Sequence, residues 1–235
     1  MNISLKSQPL KQVLDTSYLG VVIDCHLNWK AHVAMLTEKI KRNVGAIYKI
    51  RHFVSSDILK NLYYLLAYPF LIYRLVIWGN TYCSSLNPLF LLQKRVVRLK
   101  TFSSYHEHTN PLFVKLEILK IHELVFYHNA LFMYEFHAGN LPDTFSSFFL
   151  PVGCVHNYNT RLASRSSYSL PRIRTNYAKF NIRYSGTKVW NDIDDETKKL
   201  KPSNFKKKLK RIYYYNIMNK ITKLPNKNII FTLYL

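Results

Sequence analysis

Glycine is scarce in this chain, with six in 235 residues. None stands in the spacing of a phosphate-cradling loop or of a nucleophile elbow, which removes two common signatures of nucleotide binding and acyl transfer. Cysteine is scarcer. Cys25, Cys83 and Cys154 lie far apart and form no Cys-x-x-Cys pair, so neither a disulfide framework nor a thiolate zinc site is expected, and a reducing compartment fits. Acidic residues number 13 against 34 lysines and arginines. Two-metal phosphoryl transfer needs carboxylates converging on ions about 4 Å apart. The pair Asp194-Asp195 sits in a polar stretch before a lysine run and reads as a solvated turn, while Asp24 ends a strand-like stretch without an acidic partner near it and reads as a turn residue. His106-Glu107-His108 offers two imidazoles where a zinc site needs four ligands, and His122 and His128, six apart, share no helix face. No metal or other cofactor is expected in this chain, and no enzyme follows from its residues alone.

Long apolar runs are also missing. From Leu59 to Trp78 the chain is strongly apolar, but only thirteen uncharged residues separate Lys60 from Arg74, and a bilayer span needs about twenty. No membrane span is expected. Met1 to Leu10 has neither the cationic start nor the apolar core of a secretory signal, so an intracellular location, nuclear or cytoplasmic, is expected.

What is present is a 48% hydrophobic chain with a net charge of +21 and a pI of about 9.9. That length and apolar content suffice for a buried core. Such a field favours polyanions, with nucleic acid and an anionic membrane surface as the candidates. The charge is uneven: eighteen Lys or Arg stand against four Asp or Glu from Pro151 onward, and sixteen against nine before it.

The pattern along the chain predicts a mainly α protein. Tyr18 to Asp24 is rich in β-branched residues and predicts a strand able to pair with Pro9 to Leu14 as a hairpin. Trp29, Val33, Leu36, Ile40, Val44, Ile47 and Tyr48 recur at helical spacing. Ser55 or Ser56 can cap the next helix, which Pro69 should split, and Gly79-Asn80 closes the region. Asn87-Pro88 and Asn110-Pro111 each read as an N-cap followed by a first-turn proline. They predict a helix from Leu89 to about Phe102, then a helical region broken near Lys120 and ended by Gly139. After Pro151 helical periodicity fades, and a last helix is predicted from Ser203 to about Met218 with Phe205, Leu209 and Ile212 as its apolar stripe.

Basic and aromatic residues supply the candidate site. In the Leu89 helix, Leu89, Leu92, Val96 and Leu99 share an arc and Lys94, Arg95 and Arg98 lie roughly opposite, where cations can reach phosphates. In the tail, Arg161, Arg165, Arg172, Arg174, Lys179 and Arg183 alternate with Tyr158, Tyr168, Tyr177 and Tyr184, the mixture that holds single strands by stacking and charge. Lys206, Lys207, Lys208, Lys210 and Arg211 form a cluster suited to phosphate or to nuclear import. Composition leaves both uses open.

Ordered blocks of sequence carry a resemblance. Tyr18-Leu19-Gly20-Val21-Val22-Ile23-Asp24 is followed by Leu27-Asn28-Trp29-Lys30-Ala31-His32, Leu62-Tyr63-Tyr64, Tyr68-Pro69, Trp78-Gly79-Asn80-Thr81 and Leu92-Gln93-Lys94-Arg95-Val96-Val97-Arg98. The tail adds His156 to Arg161, Leu170-Pro171-Arg172, Arg174-Thr175, Tyr184-Ser185-Gly186 and Val189-Trp190-Asn191. In order and spacing, over roughly Tyr18 to Ile212, these blocks resemble the C-terminal portion of jockey-like non-LTR retrotransposon reverse transcriptases, which are RNA-directed DNA polymerases.

The resemblance implies three parts. Residues 1–25 would be a β-hairpin like the end of a polymerase palm, with Tyr18, Leu19 and Gly20 in a primer-grip-like position. Residues 26–150 would be a helical, thumb-like bundle, and residues 151–235 a basic, partly irregular C-terminal extension. In that family the catalytic aspartates precede the Tyr-Leu-Gly strand, and seventeen residues precede Tyr18 here. The chain is therefore expected to grip RNA or DNA through the phosphate backbone without polymerising. Magnesium would belong to an intact parent polymerase, whose fingers and palm would be the missing partner. An independently expressed nucleic-acid-binding protein derived from such an element, and a degenerate reading frame without selected function, are the alternatives.

Overall fold

The computed structural model describes residues 4–5, 8–9, 13–155 and 166–222, with side chains placed for 13–155 and 166–217. Two small antiparallel pairs open the chain: β1 (Ser4–Leu5) with β2 (Gln8–Pro9), and β3 (Asp15–Tyr18) with β4 (Val21–Asp24). The second hairpin differs from the sequence expectation. The chain does not run straight through Tyr18 to Asp24 but reverses inside it, so that Tyr18 faces Val21 and Asp15 faces Asp24. Leu19 (φ 47°) and Gly20 (φ 79°) both take positive φ, which a two-residue loop needs for its twist to match that of the strands. Gly20 adopts it freely; Leu19 does so against its own preference.

Asp24 then organises the approach to the first helix. Its carboxylate accepts the amides of His26 (3.0 Å), Asn28 (3.1 Å) and Trp29 (2.8 Å). Partial burial works against the charged form, but the amides of Asn28, Trp29 and His26 outweigh it and hold the carboxyl below its ordinary value. Helix α1 (Lys30–Ile50) follows and buries Val33, Leu36, Ile40, Val44 and Ile47, the predicted stripe without the half-buried Trp29, which precedes the helix, and the exposed Tyr48.

Helix α2 (Ser56–Leu66) is capped by Ser55, whose hydroxyl accepts the Ile58 amide at 3.4 Å. Pro69 stands in the first turn of α3 (Tyr68–Ile72), and a second break at Arg74 separates α4 (Leu75–Trp78). A proline cannot donate the amide that would carry α2 onward. The apolar region is therefore three short helices, and among the described residues no helix is long and apolar enough to cross a membrane.

Helix α5 (Cys83–Thr101) begins six residues before the predicted Leu89, with Pro88 inside it rather than at its start. The ring removes an amide that would bond the Ser84 carbonyl, but the extra turn brings Leu86 into the core. Helix α6 (Thr109–Lys115) carries Pro111 in its first turn as predicted, but it is entered at His108, so Asn110 stands inside the helix rather than capping it. After a break at Glu117 (φ 54°), α7 (Ile121–His137) runs until Gly139 (φ 73°) turns the chain away.

The tail is more helical than its sequence suggested. It forms α8 (Val152–Val155), α9 (Asn176–Phe180), α10 (Ile182–Asn191), α11 (Asp195–Lys198) and α12 (Pro202–Thr222). Helix α10 packs along α7 through Gly186, Thr187, Val189 and Trp190. Two of those four are not apolar, so the buried face leaves no hydrophobic period. Gly186 allows a close approach there: a Cβ would come within 3.0 Å of Ile182 Cδ1 and 3.1 Å of Met133 Sδ, so those side chains would have to shift. In α12 the buried stripe is Phe205, Leu209, Tyr213 and Ile217, with Ile212 only half-buried.

One apolar cluster extends from Val33 in α1 through Trp78 and Trp190 to Tyr213 in α12. Buried amides tie it together. Gln93 Nε2 donates to the Tyr63 hydroxyl (3.1 Å) and the Leu119 carbonyl (3.2 Å), and its Oε1 accepts the Ile121 amide (2.7 Å). Asn80 and Asn129 exchange side-chain amides at 3.2 and 2.7 Å. Replacing Gln93 by Ala leaves three buried groups without partners, at a cost of about 3 kcal/mol or more. Urea unfolding measures this, and a loss below about 0.5 kcal/mol, within the range of an ordinary surface change, would contradict it.

Candidate nucleic-acid interface

Tyr18, Leu19 and Gly20 form the tip of the β3–β4 hairpin. Tyr18 and Leu19 are exposed, and the Leu19 carbonyl accepts the Tyr73 hydroxyl at 2.9 Å. Arg74 covers Tyr73, its guanidinium 5.3 Å from the ring centroid and its Nε donating to the hydroxyl at 3.1 Å. The hairpin is anchored from beneath by His32. The Val22 amide donates to His32 Nδ1 at 3.2 Å, and the imidazole stands edge-on to Trp78, centroids 5.2 Å apart. Burial, reinforced by the charge of Lys39, pushes His32 down to about 4, so at neutral pH the ring is uncharged and Nδ1 is free to accept.

On α5 the three predicted cations have different surroundings. Arg95 is exposed. Lys94 lies half-buried with its Nζ 4.5 Å from the centre of the Phe90 ring. Arg98 donates through Nε and Nη2 to the Glu107 carbonyl at 3.3 and 3.0 Å and covers the Tyr105 ring at 5.5 Å. Its charge remains available, but its orientation is set by the loop after α5.

Arg161 and Arg165, with Tyr158, lie outside the described residues. Arg172 and Arg174 are exposed in the segment leading to α9. That segment is fixed at its root: Asn191 accepts the Tyr168 amide (3.0 Å) and donates to its carbonyl (2.8 Å), while Trp190 Nε1 donates to the Ser166 carbonyl (3.0 Å). Lys206, Lys207, Lys210 and Arg211 are exposed on α12. Lys207 and Arg211 stand one turn apart, on the side away from Phe205, Leu209 and Tyr213. Lys208 instead meets Asp194 at 3.4 Å, an exposed pair of small energetic weight. Asp194 is occupied as the cap of α11, accepting the Thr197 amide at 2.9 Å, a turn role consistent with its polar sequence context.

The candidate cations therefore stand on separate elements: the hairpin tip with Arg74, the outer face of α5, the loop before α9, and α12. Among the described residues no three His, Cys, Asp or Glu side chains gather as a metal site. A cleft of about 360 Å³ beside the end of α7, lined by Phe136, Leu141, Asp143, Phe149 and Tyr168, has no cation in its lining among the described residues. Tyr73 and Arg74 were not singled out from sequence, since nothing local distinguishes them; only the folded hairpin places Leu19 on them.

Compared with family models, curated proteins and solved structures, the chain matches none. Several residues of the blocks quoted from the sequence prove to be fasteners of the fold. Trp78 is buried with Nε1 donating to the Tyr73 carbonyl at 2.9 Å, and a Cβ on Gly79 would lie 2.6 Å from the Leu75 carbonyl oxygen.

The depressed His32 pKa gives a signed prediction. Well above pH 6.5 the ring is neutral folded and unfolded, and its contribution is complete. As pH falls from 6.5 towards 4 the unfolded chain takes the proton first, so stability drops by up to about 1.4 kcal/mol per pH unit. His128, lowered by burial and Lys210, and His137, lowered by burial and Lys198, add slopes of the same sign. Urea unfolding of wild type and His32→Gln across this window should show a shallower fall in the variant. Parallel curves would contradict the role of His32.

Proposed function

We propose that this chain is a nucleic-acid grip without polymerase chemistry of its own, corresponding to the thumb and C-terminal extension of a jockey-like non-LTR retrotransposon reverse transcriptase. The observation that carries it is the two-sided build of α12. Phe205, Leu209, Tyr213 and Ile217 anchor the helix in the core, while Lys206, Lys207, Lys210 and Arg211 stand exposed. A rigidly seated row of cations suits contact with a phosphate backbone, which fixes register without reading sequence. Arg95, Arg172 and Arg174 add exposed charge of the same sign. Leu19 on the Tyr73–Arg74 pair supports the primer-grip analogy, because it holds an exposed hairpin tip in one position.

An independently expressed binding protein derived from such an element would use the same surfaces. A degenerate reading frame fits less well: the Gln93 amide is satisfied at both its nitrogen and its oxygen, a network that unselected substitution would break early.

Binding of a labelled primer–template should weaken linearly in log K against log salt. Lys207→Glu/Arg211→Glu should lower affinity alike for unrelated sequences and reduce that slope by roughly one to two. No primer extension should follow when magnesium and nucleoside triphosphates are added. Extension by the purified chain, or a charge-reversed variant that binds as tightly as wild type, would refute the proposal.

A further inference from the structure

Beyond these cations lies the end of the bundle where α1 and α5 finish side by side. Arg51, just past α1, has its guanidinium 4.7 Å from the centre of the Tyr48 ring and 6.0 Å from that of Phe102, and the His52 ring is 5.7 Å from Phe102. Arg51 Nε donates to His52 Nε2 at 2.9 Å. On the same last turns, Arg98 lies over Tyr105. The rings are open to solvent: Phe53 is 86% exposed, Tyr105 81%, Phe102 54% and Tyr48 49%.

Three features distinguish this end from an uncovered piece of core. The guanidinium groups of Arg51 and Arg98 lie over rings. The surrounding charge is mainly positive, with Lys49 exposed and Lys60 and Lys115 close enough to Lys100 to add to the effect of its burial, opposed by Asp57. Phe102 also occupies the helix stop itself (φ 52°), where Gly or Asn ends a helix at lower cost.

We infer that this surface is a stacking platform for unpaired bases, and that its ligand is single-stranded nucleic acid. Exposed rings take the faces of successive bases and the cations between them take the phosphates; a duplex hides its base faces and gains only the charge. This rests on the grip proposed above but uses different residues.

The test is fluorescence anisotropy with labelled oligothymidylate and a mixed-sequence duplex of equal length. Phe53→Ala/Tyr105→Ala removes two rings that the core does not need, and circular dichroism melting checks that the fold stands. The double variant should bind the single strand about tenfold or more weakly, with unchanged duplex affinity, and Phe53→Trp/Tyr105→Trp should retain binding. Wild-type binding that the double alanine variant leaves intact would overturn the platform while the grip stands. Binding of neither nucleic acid by wild type would overturn both. Competition by polyglutamate as effective as by unlabelled oligothymidylate would assign the surface to an acidic protein and also overturn the platform.

Discussion

The buried amide of Gln93 links α2 and α5 to the segment that enters α7. Gln93 of α5 reaches the Tyr63 hydroxyl of α2 and the segment that leads from the break at Glu117 into α7, at Leu119 and Ile121. Fixing that break fixes Glu117, whose backbone takes the left-handed turn and whose carbonyl accepts the hydroxyls of Tyr64 from α2 and Tyr214 from α12. Helix α12 is thus seated through a loop that Gln93 shapes. Its cations stand on a helix held by Phe205, Leu209, Tyr213 and Ile217 in the core and by Tyr214 at the Glu117 carbonyl. An interior amide with all its bonds made is a strong positional constraint, because any displacement exposes the cost of each unpaired group.

The scarcity of acidic residues acts together with how they are used. Asp24 is spent on three backbone amides and Asp194 on a helix cap. Lys208 and Lys198 find carboxylates at 3.4 Å, whereas Lys206, Lys207 and Arg211 stand exposed. A chain of net charge +21 repels itself when compact, and a polyanion relieves that repulsion. Stability and binding are therefore expected to be coupled through mass action on the folded state.

Much of the helical core was legible because its burial is periodic. Val33, Leu36, Ile40, Val44 and Ile47 repeat every three or four residues and are buried as read, and Ser55 and Pro69 punctuate as their chemistry requires. The failures have local causes. The hairpin turn at Leu19-Gly20 was hidden because leucine at positive φ is no turn signal. Helix α5 started early because Pro88 is tolerated beyond the first turn. Helix α10 was invisible because Gly186 and Thr187 supply half of its buried face. The candidate site was legible as a list of cations but not as an arrangement. Sequence could not tell that Arg98 is tied to Glu107 and covers Tyr105, or that Arg51 reaches across to Phe102.

Seated cations and open rings are proposed to hold a nucleic-acid strand. Ultraviolet crosslinking of the purified chain to a single-stranded RNA, followed by mass spectrometry of the crosslinked peptides, tests it most directly. Crosslinks in peptides spanning 202–217 and in those containing Phe53 or Tyr105 are predicted, fading as salt is raised. Absence of crosslinked peptides at low salt, or crosslinks confined to the cleft beside Phe136 and Phe149, would contradict it.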